Sequence, residues 1–149
     1  MTVRNILLVC CLLFGFSTHT AQAQTLSLPN DISFGEMVVG GSGTITIPSI
    51  SDTRSSTGSI ALVGSAFIQR GSITVTHTPG AQIVISVPPS IVMAGPNAPT
   101  LEPTIEGGTI QTMPPGGVLT VFFGGTITFT SFGSYGVASA VIPVTVDPL

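Results

Sequence analysis

The sequence predicts an all-β fold: a single-domain antiparallel β-sandwich of immunoglobulin-like, Greek-key type, following an N-terminal signal peptide. Apolar and polar residues alternate in two long stretches of residues 118–146, which is typical of half-buried strands. Gly133, Ser134 and Gly136 separate the stretches and permit a chain reversal, so we expect two long antiparallel strands there. Turn signals recur about every 8–12 residues and no helical period persists, which favours a sandwich. Their uneven spacing favours Greek-key connections over an up-and-down barrel.

Residues 1–23 have the features of a secretory signal peptide. Arg4 gives a short basic region, residues 6–16 form an apolar run too short to span a bilayer, and an Ala-x-Ala sequence ends at Ala23. We expect cleavage between Ala23 and Gln24, which leaves residues 24–149 as one domain. An uncleaved anchor and a lipoprotein are the less favoured alternatives.

The charge and cysteine content restricts the classes of function. Cleavage removes Cys10 and Cys11, so the processed chain has no disulfide and depends on burial for its stability. The chain has no lysine, and only Arg54 and Arg70 then oppose six carboxylates, a net charge of −4. Nucleic-acid binding needs a basic stripe, and a polybasic membrane patch needs the same residues. We therefore expect no nucleic-acid partner and no membrane insertion after signal removal.

The rest of the chain reads as short strands separated by turns and loops. Pro29 makes the first strand an edge strand or an interrupted one, because proline cannot donate to a ladder. Glycine and proline predict turns at residues 40–43 and 78–81, and polar composition predicts a loop at residues 49–58. A longer loop, rich in proline and glycine, is expected over residues 94–117. Alternating or apolar runs predict strands at residues 26–39, 44–47, 60–63, 72–77 and 82–87.

Several segments occur in a distinctive order along the chain. They are Asp31–Gly40, Thr53–Leu62, Ala66-Phe67, Pro79–Ala81 with Ile83–Pro88, Gly124–Ile127, and Tyr135-Gly136 before a valine-rich strand. In this order and spacing they resemble the bacterial secreted proteins of domain-of-unknown-function family 4402, over roughly Leu28 to Val146. The resemblance implies an exported all-β domain, related in style to fimbrial subunits and other surface β-sandwiches, and it brings no catalytic residues.

No residue combination predicts a catalytic, cofactor or metal site. His77 is the only histidine after cleavage, whereas a metal site usually needs three or four ligands, so we expect a solvated turn histidine. Glu102 and Glu106 could act as the paired carboxylates of a glycosidase. They flank a Pro/Gly-rich segment in a chain with few aromatic residues, so this role is disfavoured. Asp52 and Arg54 are expected to order their own loop through a local ion pair.

Four glycine pairs resemble parts of phosphate-binding loops. Such a loop needs a following helix whose N-terminus faces the anion, and each pair here is flanked by strand-like residues. We therefore expect bulges or turns at Gly40-Gly41, Gly107-Gly108, Gly116-Gly117 and Gly124-Gly125.

These observations favour a non-enzymatic structural or adhesive protein, exported to the periplasm, the cell surface or the medium, and related to fimbrial subunits. Native sheets protect their edges with charge, especially lysine, and this chain has none to use. We therefore expect strand-edge pairing with other copies or with cell-envelope partners. The alternative is a monomeric secreted binding module that recognises a glycan or a cell-envelope partner through residues 94–117. An enzyme is the least favoured class.

Overall fold

The computed structural model describes residues 25–64, 67–94, 97–132 and 135–149. The predicted signal peptide, its cleavage site at Ala23 and Gln24, and the turn residues Gly133 and Ser134 lie outside these residues. The described chain is all β, as predicted, with twelve strands in two antiparallel sheets. The strands are β1 (Thr25–Asn30), β2 (Ile32–Ile47), β3 (Ser55–Leu62), β4 (Ile68–Gln69), β5 (Gly71–Thr76), β6 (Gln82–Ser86), β7 (Ile91–Val92), β8 (Thr100–Ile105), β9 (Ile110–Thr112), β10 (Val118–Phe129), β11 (Tyr135–Ala140) and β12 (Thr145–Pro148).

The larger sheet has nine strands and is organised around β2 and β10. Its main path runs β1-β5-β10-β2-β11, while β3 and β4 pair with β2, β8 pairs with β10, and β7 pairs with β8. The smaller sheet has the order β12-β6-β9. Of the ladders between described residues, only β2–β3 and β7–β8 join consecutive strands. The chain therefore crosses over repeatedly, as expected for a sandwich with Greek-key connections.

Both sheets contribute to one apolar core. Ile83 and Ile85 of the small sheet are fully buried, as are Ile45, Ile47 and Ile127 of the large sheet. Burying an aliphatic side chain of this size stabilises the fold by about 1.5–3 kcal/mol. Among the described residues, no buried side-chain nitrogen or oxygen lacks a hydrogen-bond partner. The described residues include no cysteine, so burial and hydrogen bonding hold this part of the chain together.

Strand β10 confirms the alternation predicted for the first stretch. Val121, Phe123, Ile127 and Phe129 are buried, and the residues between them face outward except at the glycine pair. The strand runs unbroken through Gly124-Gly125, which is neither the bulge nor the turn that we expected. The end of β2 passes directly over Gly124, where a Cβ atom would overlap backbone atoms. A glycine inside a strand often marks such a close approach of another backbone.

Strand β2 is longer than predicted because no turn interrupts it at residues 40–43. It continues from Ile32 to Ile47, and Gly40 and Gly41 lie where its register with β3 shifts, between the Val39 and Gly43 pairs. An irregularity of this kind needs little side-chain volume, so the glycines that signal a turn also permit a bulge. The turn predicted at residues 78–81 is confirmed, with the Ala81 amide donating to the Thr78 carbonyl.

The second predicted long strand divides into two strands in different sheets. Strand β11 pairs with β2, whereas β12 pairs with β6, and neither pairs with β10. The expected antiparallel pair is therefore wrong. Its predicted buried face is confirmed, because the alternating residues all pack on the core across the break, and these are Ala138, Ala140, Ile142, Val144 and Val146.

Two predicted loops contain strands. Strand β3 begins at Ser55, inside the loop expected at residues 49–58, and β8 and β9 lie inside the loop expected at residues 94–117. Each of these strands buries little: Ile60 is the one buried residue of β3, and Leu101 is the one buried residue of β8. The pairing that their own sequences do not signal is supplied by the ladders of β3 with β2, β8 with β10, and β9 with β6.

Candidate functional site

The predicted single residues do not converge on a catalytic arrangement. His77 lies where β5 leads into the turn at residues 78–81, and its Nδ1 accepts a hydrogen bond from the Thr78 amide at 2.7 Å. Glu102 lies on β8, whereas Glu106 follows that strand and faces Arg70, with 3.6 Å between its Oε2 and the guanidinium Nη1. Within the described ranges, no group of three or more His, Cys, Asp or Glu residues is placed to hold a metal ion.

Arg70 lies between β4 and β5, and its side chain contacts the segment between β2 and β3 and the surface of β10. Its Nε lies 3.3 Å from Asp52 Oδ1, its Nη1 donates to the Ser49 carbonyl at 2.8 Å, and its guanidinium carbon lies 4.1 Å from the centre of the Phe122 ring. The side chain is only 16% exposed, so this cation is enclosed by its partners. Asp52 therefore pairs with Arg70, and the ion pair predicted between Asp52 and Arg54 is wrong.

Arg54 instead binds backbone carbonyls. Its Nη1 donates to the oxygens of Phe34 (2.6 Å) and Glu36 (2.8 Å), and its Nη2 donates to those of Val63 (2.9 Å) and Gly64 (2.5 Å). The planar guanidinium suits this task, because it presents donors in a fixed fork. Arg54 thus fastens the segment after β3 to β2. No pattern in the sequence indicates these partners, since carbonyl acceptors are present at every residue.

A groove of about 240 Å³ lies between the segment that contains β7 and the end of β11. Among the described residues, β7 has a ladder only with β8, and β11 has one only with β2. Val92 and Val141 on its walls are 71% and 66% exposed. The groove is uncharged, and its lining residues are Ile91, Val92, Met93, Ala94, Ser139, Ala140 and Val141.

The two strands beside this groove have the same polarity within the sheet. Four antiparallel ladders connect them in series, β7 to β8, β8 to β10, β10 to β2, and β2 to β11. Four reversals restore the original direction. A strand that is antiparallel to one of these edges is therefore antiparallel to the other as well, and antiparallel pairing is the way an antiparallel sheet is extended.

Hydroxyl side chains cover the outer side of the sheet where β3, β2, β10 and β8 lie side by side. The buried residues Ile45, Ile127 and Leu101 fix which side of each strand faces inward, so their neighbours face outward. The ladders align these neighbours in two rows across the four strands. One row is Thr57, Thr44, Thr128 and Thr100, and the other is Ser55, Thr46, Thr126 and Glu102. We call these eight residues the hydroxyl face.

Hydrogen bonds connect neighbouring members of the hydroxyl face. The hydroxyls of Thr46 and Thr126 lie 2.9 Å apart, and those of Thr44 and Thr57 lie 2.8 Å apart. The alternating threonines of β2 and β10 are visible in the sequence. The outer columns were missed, because residues 55–58 of β3 and the strand that carries Thr100 were expected to be loop.

The chain belongs to the family described as Domain of unknown function (DUF4402), whose model matches residues 24–147. This match confirms the resemblance noted in the sequence and covers all twelve strands except the last residue of β12. No curated protein and no solved structure gives a significant match. The described part of the chain contains no helix with the length and apolarity needed to cross a membrane.

Proposed function

We propose that this member of the DUF4402 family is an exported structural or adhesive protein of the bacterial periplasm or cell surface, resembling a fimbrial subunit and performing no catalysis. In this role it associates with other copies of itself, or with cell-envelope partners, through strand edges. Removal of residues 1–23 in the secretory pathway is part of the proposal.

The observation that carries the proposal is the groove between β7 and β11. Backbone groups at an unpaired edge can form a ladder with an incoming strand, and side-chain pockets beside the edge select that strand. Here two edges of equal polarity border one uncharged groove, with Val92 and Val141 exposed on its walls. Burying such side chains against a partner is favourable, by about 25 cal/mol for each Å² of apolar surface.

A second feature in favour of edge pairing is the composition of β3. This eight-residue strand has a ladder only with β2 among the described residues, and it contains no charged residue and no proline. Charges, prolines and bulges are the usual protections of an edge. Strand β3 has only a bulge, opposite Gly40 and Gly41, so its edge is weakly protected against pairing.

Sedimentation velocity and electron microscopy of the processed protein, residues 24–149, test the proposal. We expect oligomers or filaments whose population rises with protein concentration. Val92→Lys should reduce association, because it places an ammonium group in the groove at a side chain that is already 71% exposed. Ile50→Lys is the matched control, at an aliphatic residue of 74% exposure outside the groove. A protein that stays monomeric at high concentration, or a Val92→Lys variant that assembles normally, would refute self-association through this groove.

A monomeric secreted binding module is the second candidate. The segment expected to recognise its ligand, residues 94–117, contains β8 and β9, so recognition would use a rigid strand as well as connections. The observation in its favour is that Thr100, Glu102 and Thr104 of β8 share the outward side of that strand. Deleting the segment is an unsuitable test, because it would remove the buried Leu101 from the core.

A further inference from the structure

We propose that the hydroxyl face is the adhesive surface of this protein and that its ligand is a neutral polysaccharide. This inference rests on the proposed adhesive function and names the ligand class and the residues that bind it. The ligand then contacts the outer side of β3, β2, β10 and β8, and only β8 belongs to the loop predicted at residues 94–117.

The side chains of this face match the chemistry of a sugar chain. Threonine presents both a methyl group and a hydroxyl, and a sugar ring likewise presents apolar C–H groups beside hydroxyls. A hydroxyl has one donor and two acceptor sites. The Thr46–Thr126 bond, 2.9 Å long, uses one donor and one acceptor, so this pair keeps one donor and three acceptor sites for a ligand.

The spacing of the face favours a polymer over a single sugar. Neighbouring strands lie about 4.8 Å apart and alternate residues of one strand about 6.8 Å apart, so the two rows form a regular array. From β3 to β8 the array spans about 14 Å, which is three inter-strand spacings. A chain with repeating hydroxyls can contact several of these positions together, and linked contacts raise the overall affinity beyond that of each contact.

The charges specify that the polymer is neutral. Seven of the eight positions carry a hydroxyl and the eighth is Glu102, so the face has no cation to attract phosphate, sulfate or uronate groups. The two arginines of the described chain are also committed elsewhere: Arg54 binds backbone carbonyls, and Arg70 contacts Asp52 and Glu106. An anionic polymer would meet a net negative protein without a pairing partner on this face.

Co-sedimentation of the processed protein with insoluble cellulose, chitin, starch granules and β-1,3-glucan tests the inference. We expect binding to at least one of these neutral polymers, with little change between low and high salt, because screening weakens charge pairing and leaves neutral hydrogen bonds. The double variant Thr46→Val/Thr126→Val keeps the side-chain shape and removes the central hydroxyl pair. It should lower the partition constant about tenfold, as expected for the loss of two net hydrogen bonds.

The matched control is Thr74→Val/Thr120→Val. This pair also joins two strands of the large sheet, with 3.5 Å between the hydroxyls, but it lies six residues, about 20 Å, further along β10. It should bind polysaccharide as the unmodified protein does. Circular dichroism and thermal unfolding establish that both double variants are folded.

Two results would overturn the inference: binding to none of the four polymers, or an equal loss of binding in both double variants. The outcome is separable from that of the proposed assembly. Thr46→Val/Thr126→Val should sediment as the unmodified protein does. Val141→Lys, at a 66% exposed residue on the other wall of the groove, should lose assembly and retain polysaccharide binding. Val92 is unsuitable for this comparison, because it is the ladder partner of Thr100 in the hydroxyl face. A protein that assembles and binds no polysaccharide would remove this inference alone.

Discussion

Replacing Gly124 by alanine is expected to destabilise the protein strongly, although the change adds one methyl group. A Cβ atom at this position would overlap the carbonyl oxygen of Ile47 and the amide nitrogen of Ser49, and it would lie 2.6 Å from the carbonyl carbon of Pro48. Carbon atoms in favourable contact lie about 3.5–4.0 Å apart, so the backbone must move by about 1 Å. The colliding atoms are backbone, and no rotamer change can relieve the overlap.

The expected loss follows from where that backbone is held. Ile45 and Ile47 are fully buried, and β2 is paired with β10 up to Ile47 opposite Gly125. Moving this end of β2 therefore disturbs both the core and a ladder. Overpacking a well-packed site costs about 1–3 kcal/mol, and we expect the upper end, about 3 kcal/mol. For a domain of this size the melting temperature should fall by about 12 °C.

Urea unfolding followed by circular dichroism measures the change, with Gly116→Ala as the control. A Cβ at Gly116 would meet no atom within 4 Å, and the residue does not require a positive φ. That substitution should be neutral or stabilise by up to about 1 kcal/mol, because alanine restricts the unfolded chain. If Gly124→Ala unfolds within 0.5 kcal/mol of the unmodified protein, roughly the error of such measurements, the close approach of β2 to β10 is wrong.

The remaining predictions concern the arginines and the core. Arg54→Lys should lower the free energy of unfolding, measured by urea titration, by about 2 kcal/mol. The two terminal nitrogens of the guanidinium contact four carbonyl oxygens, and a single ammonium nitrogen cannot reproduce these contacts. An unchanged urea midpoint would contradict this prediction. Trypsin should cleave the native protein slowly, since Arg54 and Arg70 are both held, and cleavage should accelerate in parallel with urea unfolding rather than before it. Ile127→Ala should cost about 2–5 kcal/mol, whereas Ile50→Ala, at a residue 74% exposed, should unfold like the unmodified protein.

The inward and outward faces of the strands were predictable, because alternation is a local property with a period of two. Ile32 and Phe34, Ile73 and Val75, and Ile83 and Ile85 are buried as their spacing indicates. Alternation also predicted the buried face correctly between Ala140 and Thr145, where the chain passes from one sheet to the other. Only the side-chain direction was needed for these predictions.

Strands with few apolar residues could not be recognised. The first half of β3, residues 55–58, is polar and β8 carries a proline, so both resembled loops, whereas the apolar end of β3 lies within the strand predicted at residues 60–63. The glycine pairs were ambiguous for a related reason, since the same residue permits a turn, a bulge or a close approach. Gly40-Gly41 is a bulge and Gly124-Gly125 is a close approach, and only the neighbouring strand distinguishes the two.

The sequence by itself therefore determined the fold class, the membership of the family and which residues face the core, since each depends on short-range order along the chain. The tertiary structure alone decided which strands are neighbours, and with them the partners of Arg54 and Arg70. It also created the hydroxyl face, whose rows join residues from four separate strands. Many strand edges carry similar backbone groups and could pair with one another. Which distant strands become neighbours therefore depends on the packing of the whole chain, and no local pattern in the sequence indicates it.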